Sequence, residues 1–255
     1  MNEHLRSQWQ VNAEAYSQLI RGKGTPHHRS ILNPCVEKLM GTVKGRRILD
    51  AGCGEGYLAR FYAQKGAKVV GVDFSQALIA KSKTLSADLP IHYVLSDLCD
   101  LRVFKAEEFD IVLCNLVLLN LECLDKSLSE FHRVLRPNGF LVFSVVHPAF
   151  NMYGPGYWKL GKKNGETGRR EGLFFMTEDY FGEKEYQARW KTRTGEEFPK
   201  AFSFFHRTIG TYVNALLRIG FHLTAFEEPR PIMDDPFFTR EQRIPFFLVI
   251  RAHKR

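Results

Sequence analysis

From Leu5 to Ile20, apolar side chains return every three or four residues, at Leu5, Trp9, Ala13, Tyr16 and Ile20. That is the period of a helix with one apolar face. Residues 21–29, RGKGTPHHR, carry no period and read as a loop. A short helix over Asn33–Met40 follows, with Pro34 in its first turn, where a missing N–H is harmless. The pattern then changes to short apolar runs alternating with amphipathic segments. Strands are predicted at Arg47–Ala51, Lys68–Val72, Ile91–Leu95, Phe109–Cys114 and Phe140–Val146, and helices at Tyr57–Lys65, Gln76–Thr84 and Glu122–Leu135. Gly66 stops the first of these helices. Arg136-Pro137-Asn138-Gly139 stops the last, since Pro cannot continue a helix and Gly permits the turn. Phe109–Cys114 is apolar apart from Asp110, as expected of a strand covered on both faces. Strands alternating with helices predict a parallel α/β sheet.

Between 148 and 200 the alternation fails, and the chain is rich in Gly, Lys and aromatics. The second half of this stretch reads as a hairpin, Glu185–Thr192 and Glu197–Phe205, turning near Thr194-Gly195. A loop-rich insertion of this length in a compact domain is commonly a functional cover. The pattern resumes with Thr208, which can cap a helix over 209–219 ending at Gly220. Phe221–Glu227 and Phe246–Ala252 are two closing strands. The Pro- and acid-containing link from Pro229 to Asp235 favours pairing them antiparallel at the sheet edge.

With 255 residues, 44% of them hydrophobic, the chain can bury one sizeable core, so a single domain is expected. No apolar run approaches the ~18 residues of a membrane span, and MNEHLRSQWQ has no apolar signal region. Five cysteines, at 35, 53, 99, 114 and 123, form no C-x-x-C pair. Their odd number predicts reduced thiols in a cytoplasmic protein. The net charge is +8. Lys159, Lys162, Lys163, Arg169 and Arg170 lie close together with one acid, Glu166. Such a patch would suit RNA or an acidic substrate; the alternative is a solvated loop that needs charge for solubility.

The chemistry gathers at residues 48–60, ILDAGCGEGYLAR. Gly52, Gly54 and Gly56 follow the first strand, at the edge of a parallel sheet where ligands bind. Glycines there let the backbone approach a polar ligand closely. A dinucleotide fingerprint needs G-x-G-x-x-G, but Tyr57 stands at its third glycine. With Asp50 included, D-x-G-x-G-x-G resembles the first motif of the class I S-adenosylmethionine-dependent methyltransferases. VVGVDFS at 69–75, SDLCDL at 96–101, FDIVLCNLVLLNL at 109–121 and LRPNGFLVFSVVHP at 135–148 resemble the family's later elements, in order. The resemblance implies a Rossmann-like, seven-stranded, mostly parallel sheet with helices on both faces. Residues 1–45 would be a helical cap, 46–147 the cofactor-binding core, 148–206 a lid after the fifth strand, and 207–255 the completion of the sheet.

The resemblance also implies site residues. Gly52 and Gly54 would pass under the methionine part of S-adenosyl-L-methionine, with Asp50 orienting the loop or reaching the amino group through water. Asp73 would accept hydrogen bonds from the ribose, Phe74 would pack on the adenine, and Asp97 and Leu98 would meet its edge. Asn115 would lie under the methionine end, and Tyr16 and Arg29 would serve the carboxylate from the cap; helix packing for Tyr16 and a surface charge for Arg29 are the plain alternatives.

The acceptor is narrowed by absences. Asn115-Leu116-Val117-Leu118 lacks the [ND]-P-P-[YF] of adenine and glutamine N-methyltransferases, Pro34-Cys35 is in the wrong place for a cytosine C5 nucleophile, and no Asp pair near the fourth strand would hold a metal. What remains is a small-molecule enzyme acting on oxygen or nitrogen, its insertion supplying an aromatic pocket for a flat or greasy acceptor. His147, just after the fifth strand, and His206, beside Arg207, are the candidate bases; either could instead be held by the backbone. His27 and His28 would be surface residues or would touch ligand. No membrane partner and no RNA-binding module are expected, and the molecule would be a monomer or homodimer. An RNA or protein methyltransferase, or a non-catalytic cofactor-binding protein, is the competing reading.

Overall fold

The apolar runs become strands because both of their faces are covered. In β1 (Arg47–Ala51), Ile48 and Leu49 are both fully buried but belong to different core clusters, one on each face of the sheet. This computed structural model describes residues 3–255. Helices α1 (Glu3–Ile20) and α2 (Asn33–Met40) precede β1, and the alternating unit follows: α3 (Tyr57–Gln64), β2 (Lys68–Asp73), α4 (Gln76–Leu85), β3 (His92–Leu95), β4 (Phe109–Asn115), α5 (Leu124–Val134) and β5 (Leu135–Val146). The insertion holds β6 (Gly156–Lys163), β7 (Arg170–Thr177), β8 (Glu185–Ala188) and β9 (Phe202–Phe205). Helix α6 (Ile209–Ile219), β10 (Phe221–Glu227) and β11 (Phe247–Lys254) close the chain.

The main sheet has seven strands in the order β10-β11-β5-β4-β1-β2-β3. β1 to β5 pair in parallel, whereas β11 runs antiparallel to both β5 and β10. This is the α/β class expected of the alternation, in the Rossmann-like form that the resemblance implies. Helices α2 and α3 pack on one face, and α5 and α6 on the other. Because β1 to β5 are parallel, their carboxyl ends share one edge. Ala51, Asp73, Leu95, Asn115 and Val146 therefore deliver the following loops to a common place.

Most elements fall where the periodicity predicts them. Thr208 caps α6 by accepting from the Thr211 N–H, and Gly220 ends it in the left-handed region. Several findings differ from the sequence reading. Residues 28–32 form a helical turn that overlaps the loop expected over 21–29, and the late hairpin pairs only Glu185–Ala188 with Phe202–Phe205, apart from a single bridge between Lys191 and Glu197. β5 begins at Leu135 rather than Phe140, because Leu135 pairs with Phe109 before a register shift. The basic stretch around Lys159–Arg170 is not a plain loop but the turn end of an antiparallel β6–β7 ladder. Cys99 and Cys123 form a disulfide, so the expectation of uniformly reduced thiols is corrected: the fold brings together sulfurs 24 residues apart. No helix of the described residues is long and apolar enough to cross a membrane.

Helix α1 is fixed to the insertion by two buried amides. The Gln8 side chain accepts from the Ser203 N–H (3.0 Å) and donates to its hydroxyl (2.9 Å). Asn12 donates to the Lys200 carbonyl (2.9 Å) and accepts from its N–H (3.0 Å). Arg207 ties the return of the insertion to the loop after β4, donating to the carbonyls of Leu118, Leu121 and Glu122. Replacing Asn12 by Ala leaves the Lys200 backbone groups without these partners. It is expected to cost about 1–3 kcal/mol in urea unfolding, whereas Gln18→Ala, on the exposed side of α1, should fall within experimental error.

Candidate functional site

The edge where the parallel strands end opens into a cavity of about 540 Å³. One end is built from the β1–β4 loops: Asp50, Gly52, Gly54, Asp73, Phe74, Asp97, Leu98 and Asn115 all line it, with Tyr16 of α1. Gly52 (φ 80°) and Gly54 (φ 55°) take left-handed backbone, which side chains resist. A Cβ at Gly52 would stand 2.4 Å from Val117 Cγ2, and one at Gly54 would stand 3.2 Å from the Tyr16 ring. Both positions are therefore held to glycine by their backbone conformation, and Gly52 also by the close approach of Val117.

Asp73 holds this loop. Its carboxylate accepts from the Gly54 N–H (3.0 Å) and the Ser75 N–H (2.8 Å), and each oxygen keeps a lone pair. Burial pushes its pKa up to about 6 against those backbone bonds. Asp50 is 3% exposed, its Oδ2 has no hydrogen-bond partner among the described residues, and burial together with Asp73 raises it to about 7. The Tyr16 phenol is also raised, by burial and then by Glu55, Asp73 and Asp50. Two buried carboxylates with few compensating groups suit a ligand that brings positive charge and hydroxyl donors. Asn115 is set by Ser144, whose hydroxyl donates to it (2.7 Å). The next residue, Leu116, takes φ 57°, an uncommon conformation for a side chain this bulky, and it too lines the cavity.

The rest of the lining is largely aromatic and basic. Trp9, Phe150, Tyr153, Trp190 and Phe204 form an aromatic wall, with Tyr153 stacked on Phe204 (4.6 Å, 12°) and Trp190 against Phe202 (4.6 Å). The insertion supplies most of these rings, and α1 supplies Trp9.

Three sequence-predicted residues lie elsewhere. His147 is buried away from the cavity: its Nδ1 accepts from the Ala149 N–H (3.2 Å) and its Nε2 meets Glu228 (2.8 Å). It caps the turn 148–150, and burial lowers its pKa despite Glu228. With both ring nitrogens engaged it cannot take a proton from a ligand in this position. His206 is also buried and outside the cavity; its Nε2 meets the Tyr180 carbonyl (2.9 Å), leaving Nδ1 sealed in protein. Neither histidine is placed as a base. Arg29 is exposed, donates to the Gly24 carbonyl (2.7 Å), and does not line the cavity. Its surface-charge alternative is the one the structure favours.

His27 and His28 do line it. His27 stacks on Phe246 and meets the buried Glu241 (2.7 Å), while burial, then His27 and Arg29, hold His28 down to about 4. Arg169, from the basic stretch that the sequence offered for RNA or an acidic substrate, also lines the cavity, with Arg189, Lys191 and Arg240, which were not legible as site residues because only the tertiary fold gathers them. The one cluster of potential metal ligands among the described residues is Asp97, Cys99 and Cys123, whose sulfurs are bonded to each other.

Residues 49–143 match the model of a methyltransferase domain family. Over 91% of this chain and 100% of the other, the fold matches the crystal structure of an S-adenosylmethionine dependent methyltransferase from Mesorhizobium loti, with 28% identity and a TM-score of 0.72. Residues 49–143 thus form a methyltransferase domain of the class I S-adenosylmethionine-dependent type. The protein is an enzyme, and its cofactor is S-adenosyl-L-methionine. Among curated relatives, the methyltransferase is similar to a malonyl-[acyl-carrier protein] O-methyltransferase of Enterobacter lignolyticus (31% identity, 49% of this chain and 51% of the other). It is also similar to a ubiquinone biosynthesis O-methyltransferase of Coxiella burnetii (34%, 52% and 57%). The chain thus spans about half the length of these named relatives.

The residues present fit the cofactor: an unpartnered Asp50 oxygen and the Asp73 carboxylate, beside the glycine loop, would meet a cationic nucleoside. An aspartate whose folded pKa lies above its ordinary value of 3.8 adds stability that is fully present below about pH 4 and is lost as pH rises through the folded value. The cofactor-free methyltransferase should therefore lose melting temperature between pH 4 and about pH 7, and Asp50→Asn should flatten that decline. Calorimetric affinity for S-adenosylmethionine should rise over the same interval as the carboxylates ionise. A pH-independent affinity would count against the charge argument.

Proposed function

We propose that the enzyme transfers a methyl group to an oxygen or nitrogen of a small, flat, largely apolar acceptor. The observation that carries this reading is the continuity of one cavity from the acidic glycine loop to the aromatic wall of the insertion. Its volume lies within the usual range for small-molecule sites, roughly 300–1,000 Å³. The similarity to two O-methyltransferases favours oxygen.

In this reading Asp73 receives the ribose hydroxyls and Phe74, Asp97 and Leu98 receive the adenine. Gly52, Gly54 and Asn115 lie along the methionine end, with Asp50 and Tyr16 beside its charged groups. The bound cofactor supplies an activated methyl carbon. The chain's own part is alignment: Trp9, Tyr153, Trp190 and Phe204 would hold a planar acceptor and exclude water. No base is assigned to His147 or His206. A macromolecular acceptor is disfavoured, because the aromatic end is walled by α1 and the insertion together.

Titration with S-adenosylhomocysteine in a calorimeter tests the reading, with NAD as control. Binding of the first and none of the second is expected. Asp73→Ala should weaken that binding at least tenfold with circular dichroism unchanged; unaltered affinity would remove the ribose role. Once an acceptor is in hand, His147→Ala should turn over at the rate of the parent, corrected for stability, and a hundredfold loss would restore the base assignment.

A further inference from the structure

The charges that line the cavity divide by structural element. Its lining carboxylates, Asp50, Asp73 and Asp97, come from the strand-end loops of the core. Its lining guanidiniums and ammonium, Arg169, Arg189, Lys191 and Arg240, come from the insertion and from the link between β10 and β11. Two of these arginines stand together. Arg169 is committed: it donates to Glu241 through both terminal nitrogens (3.2 and 2.8 Å) and to the Phe237 carbonyl, and it lies over the Phe237 ring. Glu241, whose side chain is wholly buried, is shared between Arg169 and His27. Burial would raise its pKa, but those two partners hold it at about 2.

Arg240 is not committed. No hydrogen bond or ion pair engages its guanidinium among the described residues, although it is partly buried and within electrostatic reach of both Arg169 and Glu241. Burial, then Arg169, lowers its pKa. Its stem is held in place: a Cβ built at Gly172 of β7 would stand 2.8 Å from Arg240 Cγ and Cδ and 2.6 Å from Trp158. Gly172 thus leaves the room into which the arginine and the tryptophan pack. One carboxylate faces two guanidiniums, so this corner of the cavity carries an uncompensated positive charge on a planar, fork-shaped donor.

We infer that the methyl acceptor carries a carboxylate, and that Arg240, beside Arg169, receives it. The inference rests on the proposed small-molecule reading and narrows its substrate class to aromatic or apolar acids. A guanidinium pairs with a carboxylate through two parallel N–H···O bonds, which fixes orientation as well as affinity. Arg240 is therefore a specificity residue: it would hold the acid group at the basic corner while the aromatic wall holds the body of the acceptor. The cofactor's own carboxylate is the rival occupant. The elements argue against it, since Arg240 and Arg169 belong to the insertion and the β10–β11 link rather than to the glycine loop.

The test uses the full chain and matched probes, 4-hydroxybenzoate with 4-hydroxybenzamide and cinnamate with cinnamamide, titrated calorimetrically into enzyme saturated with S-adenosylhomocysteine. At least one acid should bind tenfold or more tightly than its amide. Arg240→Gln should abolish that preference with S-adenosylhomocysteine affinity unchanged, and Arg240→Lys, which keeps the charge without the fork, should retain part of it. Equal binding of acids and amides, or binding of neither, overturns the inference while S-adenosylhomocysteine binding leaves the cofactor reading standing. Weaker S-adenosylhomocysteine binding in Arg240→Gln, with the acid preference intact, also overturns it and assigns the corner to the cofactor carboxylate. If the parent chain fails to bind S-adenosylhomocysteine, the reading of the whole site fails first.

Discussion

The site depends on a carboxylate doing two jobs. Asp73 closes the glycine loop by accepting from the Gly54 and Ser75 N–H groups, and it also forms part of the cavity wall. Side chains that bond backbone at a strand end usually stabilise the turn and nothing else. Here the same buried oxygens face a space where a ligand can reach them, and Asp50 lies near enough to raise the electrostatic cost of ionising both. The loop is built at some expense in electrostatic energy, and a cationic partner relieves it. That charge sits at the shared edge of β1 and β2, beside the left-handed glycines 52, 54 and 56 and under the aromatic rings that the insertion and α1 supply.

The second organising group is Arg207. Its guanidinium is buried, and it satisfies three carbonyls of the loop after β4. Buried carbonyls in an irregular loop are costly without donors, and a long side chain from the end of the insertion supplies them. The sequence reading noted Arg207 only as the neighbour of His206. The structure gives it the task of joining the insertion to the core, with Asn120 reinforcing the joint through the Ser203 carbonyl (2.8 Å).

The core was legible because its physics is local. Strands such as Phe109–Asn115 announce themselves by apolar content, α6 by Thr208 and Gly220, and the loop over Gly52 and Gly54 by glycines that no plain turn requires. The hairpin of β6 and β7 was not legible. Its residues are mostly exposed on both faces, so no alternation of apolar and polar positions marks it. His147 was misplaced for a geometric reason: a position at a strand's carboxyl end fixes where a residue stands but not which way its ring turns, and the turn at 148–150 claims it as a cap. The Cys99–Cys123 pair and the arginine corner depend on contacts between distant segments, which neither spacing nor composition encodes.

The amides of α1 have a consequence for the order of assembly. Asn12 and Gln8 bond residues 188 and 195 positions further along the chain, among the most non-local contacts in the molecule. Closing so long a loop is entropically expensive and tends to come late in folding. A ribosome that has released α1 must still make almost the whole insertion before Trp9 can meet Phe202 and Trp190. Until then the rings of the aromatic wall have no partner across the cavity, and the nascent protein carries a sheet that still lacks α6, β10 and β11. Two side-chain amides near the start of the chain thus wait for the insertion before the aromatic wall can close.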